Sequence, residues 1–312
     1  MLRYLKATAL LGLISGITSA QQAVKLPFPC AEEELQSAGL LCTEDEPCAI
    51  YLELNAIVPV GKKLFLAGNL HSTSATLSSI LLSSDDNGLT WKEPSPRLRG
   101  ASLGQLEFHD LEHGWAAGEV QYPLPRDPFF LLTTDGGVTW RKQPVTEDGG
   151  PGSMQRFWFD SAQHGELIVD AGRSAPSGRY LMWESETGGE SWMIRSTTRE
   201  VPKIKRAPPV FENSDFRTRA SASGLSYQVE KRLGEGWESV GQFTIEVASC
   251  KLKAPEVKEP PPETLLAEPE PEKNYVEEIH LGGQPGGAKP LPAKPSARTP
   301  AKAPVPRKGP AN

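Results

Sequence analysis

Short apolar runs separated by polar turns fill residues 49–250, and three of them end alike. Ile80-Leu81-Leu82, Phe129-Phe130-Leu131-Leu132 and Tyr180-Leu181-Met182-Trp183 each lead into a polar stretch of eight residues closed by tryptophan. The stretches are Ser84–Trp91, Thr133–Trp140 and Ser185–Trp192, and a faded copy spans Glu230–Trp237, where Gly234 and Trp237 hold their places. An apolar run, a turn and a second short run predict a β-hairpin.

Each position in the stretch has a physical reason. Asp86 and Asp135 suit a tight turn because a carboxylate can accept nearby backbone N–H groups. Gly88, Gly137 and Gly189 supply a positive φ that other residues resist. Trp91, Trp140 and Trp192 bury large rings whose indole N–H can find a partner. Ser84, Thr133 and Ser185 open the turns. The third copy carries Thr187 in place of Asp, so a catalytic or metal-binding role common to all copies is not expected, and no metal is.

The tryptophans lie 49, 52 and 45 residues apart. A period of that size predicts stacked repeat units, and about four short strands per unit match a propeller blade. The units run over about 49–94, 104–145, 154–197 and 209–248. The expected architecture is all-β: a small β-propeller of about four blades. Within the fourth unit, Arg217–Ala222, Leu225–Lys231, Trp237–Val240 and Gln242–Val247 are expected as strands. If four units do not close a ring, a homodimer would complete it.

The pattern hydroxyl-x-Asp-x-Gly-x-Thr-Trp resembles the Asp-box, or BNR repeat, of sialidases, Vps10-type sorting receptors and the photosystem II assembly and stability factor family. The second unit, Phe108-His109-Asp110-x-x-His113-Gly114-Trp115-Ala116-Ala117-Gly118 followed by its box, is similar to a blade of the last family. Phe159 and His164-Gly165 repeat part of it. His113 and His164 are read as polar supports of a hairpin. The resemblance implies a binding or assembly propeller similar to those factors, with a glycan-processing or carbohydrate-binding protein of the sialidase type as the alternative. Nothing like the Arg-Ile-Pro of sialidases precedes Ser84. Phe216-Arg217-Thr218-Arg219 is the nearest string and falls after the third box, so no catalysis is expected.

Propeller architecture sets the loop between a blade's second and third strands opposite the box turns. That places His71–Leu77, Glu119–Pro128 and Arg173–Arg179 on one face, where a rigid scaffold commonly presents binding residues. The candidates are His71, Tyr122, Arg126, Asp127, Arg173 and Arg179. A protein partner in the cell envelope, or a glycan, is expected there. No cofactor is expected.

The flanks differ from the repeats. Residues 1–20 have a basic start, a short apolar core and Thr18-Ser19-Ala20, the pattern of a secretory signal. The apolar stretch is too short to span a membrane. Residues 21–48 form a lead-in with a short helix expected over Ala31–Leu40. Residues 251–312 hold about half of the chain's 29 prolines, acidic first and basic at the end, and are expected to form a disordered, extended tail. The net charge of −6 argues against nucleic acid as main partner.

Cys30, Cys42, Cys48 and Cys250 suggest two disulfides in an exported protein, with three possible pairings. The favoured pairing is Cys30–Cys42 as a local loop and Cys48–Cys250 as a clasp joining the ends of the domain. Without paired Cys-x-x-Cys spacing or a nearby His, a zinc site is not expected.

Overall fold

The computed structural model describes residues 23–121, 124–173, 175, 178–203, 209–211 and 215–252. The expected secretory signal, Tyr122 and the tail beyond Leu252 lie outside the described residues. The chain divides at Glu256, and all described residues belong to the first unit.

A strand β1 (Val24–Leu26), a helix α1 (Glu32–Ser37) and a two-residue strand β2 (Cys48–Ala49) precede the repeats. Glu32, Glu33 and Glu34 occupy the first turn of α1, where the helix dipole favours negative charge. Blade I is β3 (Tyr51–Val60), β4 (Lys63–His71) and β5 (Thr76–Ser84). The bridges Ser83–Lys92 and Ser78–Arg99 stand where a fourth strand would run. Blade II is β6 (Ala101–Phe108), β7 (Gly114–Val120), β8 (Arg126–Thr133) and β9 (Arg141–Pro144). Blade III is β10 (Ser153–Phe159), β11 (Gly165–Asp170), β12 (Tyr180–Ser185) and β13 (Met193–Thr198). Blade IV is β14 (Phe216–Ala220), β15 (Ser226–Leu233) and β16 (Gly236–Ile245), and β17 (Ser249–Cys250) follows. The consecutive strands of each blade form an antiparallel meander, so the protein is an all-β, small four-bladed propeller.

Blade IV departs from expectation. Trp237–Val240 and most of the expected Gln242–Val247 segment run together in the single strand β16, which stops at Ile245 and leaves Glu246 and Val247 outside it. The fourth strand comes from the other end of the chain, where β1 pairs in parallel with β16, Val24 opposite Phe243 and Leu26 opposite Ile245.

The disulfide pairing also differs. The bonds are Cys30–Cys250 and Cys42–Cys48, in place of Cys30–Cys42 and Cys48–Cys250. A clasp does join the ends of the domain, but through Cys30. The reason lies in strand pairing: β1 on β16 carries Cys30 toward β17, while β2 pairs with β17 and sets Cys48 opposite Cys250 in the ladder. Cys48 then closes on Cys42 across the turn in which Thr43 N–H donates to the Glu46 carbonyl.

Three buried clusters weld the blades in series. Leu52, Leu54, Leu66 and Ile80 of blade I pack on Val229 and Phe243 of blade IV. Val58, Phe65 and Leu81 of blade I meet Leu103, Phe108 and Phe129 of blade II. Trp115, Phe130 and Leu132 of blade II meet Phe157, Phe159 and Trp192 of blade III. A smaller group, Trp158, Ile168 and Tyr180, lies within blade III. Among the described residues, no buried cluster is shared by blades III and IV.

Candidate binding groove between blades II and III

The three octapeptide turns share one geometry. Gly88 N–H donates to Ser84 Oγ at 2.8 Å, Gly137 N–H to Thr133 Oγ1 at 2.9 Å and Gly189 N–H to Ser185 Oγ at 2.9 Å. The Asp86 carboxylate accepts the backbone N–H and hydroxyl of Thr90, and Asp135 does the same with Thr139. These bonds, led by the threonine hydroxyls, pull both carboxyls down to about 2. In the third turn the Thr187 hydroxyl accepts the Ser191 N–H at 2.9 Å. Each tryptophan indole donates to the carbonyl of the turn glycine. The carboxylates are thus committed to holding the backbone.

The loops after the second strands frame two cavities. The larger, about 840 Å³, lies between blades II and III. Leu124, Pro125 and Pro128 form one wall; Thr146 and Gly149–Ser153 of the β9–β10 link also line it. The opposite wall is the β11–β12 loop with Leu181, Trp183, Ile194 and Thr197 of blade III. Its volume is typical of a small-ligand site, and its lining is mainly apolar. Leu124 and Ile194 stay 72% and 51% exposed, so apolar surface remains open. The Trp183 indole N–H is buried without a partner among the described residues.

The sequence candidates occupy different places. Arg173 and Arg179 line this groove. Arg179 grips Asp170 at 2.6 Å and lies over the Tyr180 ring. Asp170 also accepts Gly172 N–H, and these bonds, chiefly that from Arg179, lower its pKa. Arg173 is exposed on the same loop. Arg126 and Asp127 brace a wall and do not line the groove. Asp127 has φ of 49°, accepts Gly150 N–H at 2.8 Å and pairs with Arg126 at 2.7 Å. The Gly150 bond is the main cause of its lowered pKa. Asp127 N–H donates in turn to the Gly150 carbonyl. The pair therefore fastens the β9–β10 link to blade II.

His71 lines a separate cavity of about 440 Å³ with Glu53, Ser72, Ser74, Ala75, Thr76 and Gln121. Its Nδ1 lies 2.9 Å from the Ser72 carbonyl, and its ring stacks on Tyr51.

The groove residues absent from the sequence candidates are the β9–β10 link and the aromatic and aliphatic outer strands of blade III. A signal for the second group existed. Leu181 and Trp183 alternate along β12 toward blade II, and Ile194 follows on a strand whose residues are nearly all exposed.

No family model and no curated protein matches the chain. Among solved structures it is similar to YCF48 bound to D1 peptide, with 18% identity over 64% of this chain and 58% of that one, at a TM-score of 0.33. It is also similar to YCF48 from Cyanidioschyzon merolae, with 16% identity over 61% and 59% of the two chains, TM-score 0.33. A third is the Penicillium chrysogenum alpha-L-arabinanase complexed with arabinobiose, with 12% identity over 62% and 65%, TM-score 0.32. The chain thus spans under two thirds of the YCF48 structures it matches.

Proposed function

We propose that this chain is a non-catalytic, exported binding propeller of the Asp-box type. In this reading the groove between blades II and III holds an extended, largely apolar segment of a protein partner. The observation that carries it is the groove itself: an apolar channel of about 840 Å³ with exposed Leu124 and Ile194 at its sides. Its carboxylates are already engaged, Asp170 by Arg179 and Gly172, and the bracing Asp127 by Arg126 and Gly150. Among the described residues the groove thus offers no free carboxylate pair, whereas apolar walls with a few fixed polar groups suit recognition. Two disulfides and the signal-like start of the sequence support export.

Trp183 on the groove wall favours a second reading, a glycan stacked on its ring. A panning experiment separates the two. The full mature chain is tested against a displayed peptide library and an oligosaccharide array, beside Leu124→Asp and Ile194→Asp. Enriched apolar peptides whose binding falls at least tenfold in both variants, at unchanged melting temperature, support the proposal. Peptide binding indifferent to both substitutions sinks it. Oligosaccharide capture alone transfers the groove to the second reading.

A further inference from the structure

His113 and His164 hold equivalent places, just before the glycine that opens the second strand of blades II and III. Each ring is oriented by a carboxylate on Nδ1: Asp110 at 2.9 Å for His113 and Asp160 at 2.7 Å for His164. A neutral imidazole that donates from Nδ1 turns the lone pair of Nε2 outward. This is the arrangement by which proteins orient metal-binding histidines.

The two sites differ in what Nε2 meets. In blade II the residues flanking the turn hydroxyl Thr133 are Leu132 and Thr134. In blade III the residues flanking Ser185 are Glu184 and Glu186. Their carboxylates come to 3.3 and 3.8 Å from His164 Nε2, and one donor atom from each of the three residues lies within 4.8 Å of the others. A lone pair facing two carboxylates is repulsive unless a cation stands between them. A proton neutralises one charge; a divalent ion neutralises both. Arg195 meets the same Glu184 Oε1 at 3.3 Å and Glu166 at 2.6 Å, and so offsets part of that charge.

We infer that His164, Glu184 and Glu186 form a binding site for a divalent transition-metal ion of the zinc class. One imidazole and two carboxylates supply three ligands and leave a fourth position for water. Such an ion would tie the β10–β11 turn to the octapeptide turn whose aspartate position is Thr187. The site lies outside the groove, and its test is independent of the groove's ligand.

The experiment is calorimetric titration of the untagged mature chain with zinc chloride at neutral pH, beside His164→Ala, Glu186→Gln and His113→Ala. Glu186 is 67% exposed at its side chain, so Glu186→Gln keeps the fold even if His164→Ala does not. The expected result is one ion per chain, weakened at least tenfold in His164→Ala and Glu186→Gln and unchanged in His113→Ala. The melting temperature should rise with zinc in the parent chain and not in Glu186→Gln. Absence of zinc binding overturns the inference. So does binding that survives both blade III substitutions, or that falls equally in His113→Ala.

Discussion

At the scale of single residues, the octapeptide turn is a device in which one hydroxyl and one carboxylate hold the backbone. Thr133 is 3% exposed, and its Oγ1 accepts the Gly137 N–H while donating to Asp135. Thr133→Val keeps the shape and strands that N–H in the interior. The expected loss is about 1–3 kcal/mol in denaturant unfolding. Acid should reach the first two turns before the third. The Asp86 and Asp135 carboxyls titrate near 2 in the folded chain, below their ordinary range. A depressed carboxyl stabilises the fold above about pH 4 and loses that effect as pH falls toward 2. Asp86→Asn with Asp135→Asn should therefore flatten the acid limb of melting temperature against pH, and Thr187→Asn should leave it unchanged. These turns were legible in the sequence because every bond closes within eight residues. The charges around the groove were not. Asp127 looked available, and it is held by Gly150, 23 residues onward.

At the scale of elements, each turn also serves the blade before it. Lys63 of blade I donates to the Gly136 carbonyl of the second turn, and the Phe65 ring lies where a Cβ on Gly137 would stand, 2.3 Å away. Trp115 of blade II donates to the Gly188 carbonyl of the third turn at 2.8 Å and stacks on Phe159 at 3.7 Å. The turn glycines are needed both for positive φ and for this approach. Glu166 holds in blade III the register position that Phe65 and Trp115 hold in blades I and II. The turn it would receive is the faded copy, which folds as a tight hairpin between Leu233 and Gly236. Socket and plug are lost together, which gives the degenerate fourth copy a physical reason. On the opposite side of the seam Arg217, Arg219 and Glu230 form ion pairs, and Arg217 and Arg232 lie over Trp237. Polar outer faces are what terminal units of an array require. Trp115→Ala should cost about 3–5 kcal/mol, measured by denaturant unfolding. Glu166 is 13% exposed and paired with Arg195, so Glu166→Trp should cost about 0.5–3 kcal/mol by the same measurement. A large gain in stability from Glu166→Trp would mean that blades III and IV close on each other in solution.

For the whole molecule, the last blade is completed by the first strand and locked by the longer disulfide. That part was the least legible. Residues 24–26 carry no turn or periodic signal, and their partner strand lies more than 200 residues away. A clasp could be inferred from four cysteines, but its partner depends on a parallel pairing that local pattern does not encode. The two bonds should matter unequally. Cys30–Cys250 spans 220 residues and Cys42–Cys48 spans 6. In the chain-entropy account the long loop contributes about 5 kcal/mol and the short one about 2 kcal/mol. The long bond also holds β1 against β16, so its loss should free β1 and open the cluster around Phe28, Leu35 and Phe243. Cys30→Ser with Cys250→Ser should lower the melting temperature well beyond Cys42→Ser with Cys48→Ser, and speed amide exchange in β16 and β15 first. Equal effects of the two pairs would mean that blade IV holds without its borrowed strand. Blades II and III, joined by their own aromatic cluster, should exchange at the parent rate in both variants. The clasp would then be specific to the blade that the repeat pattern leaves incomplete.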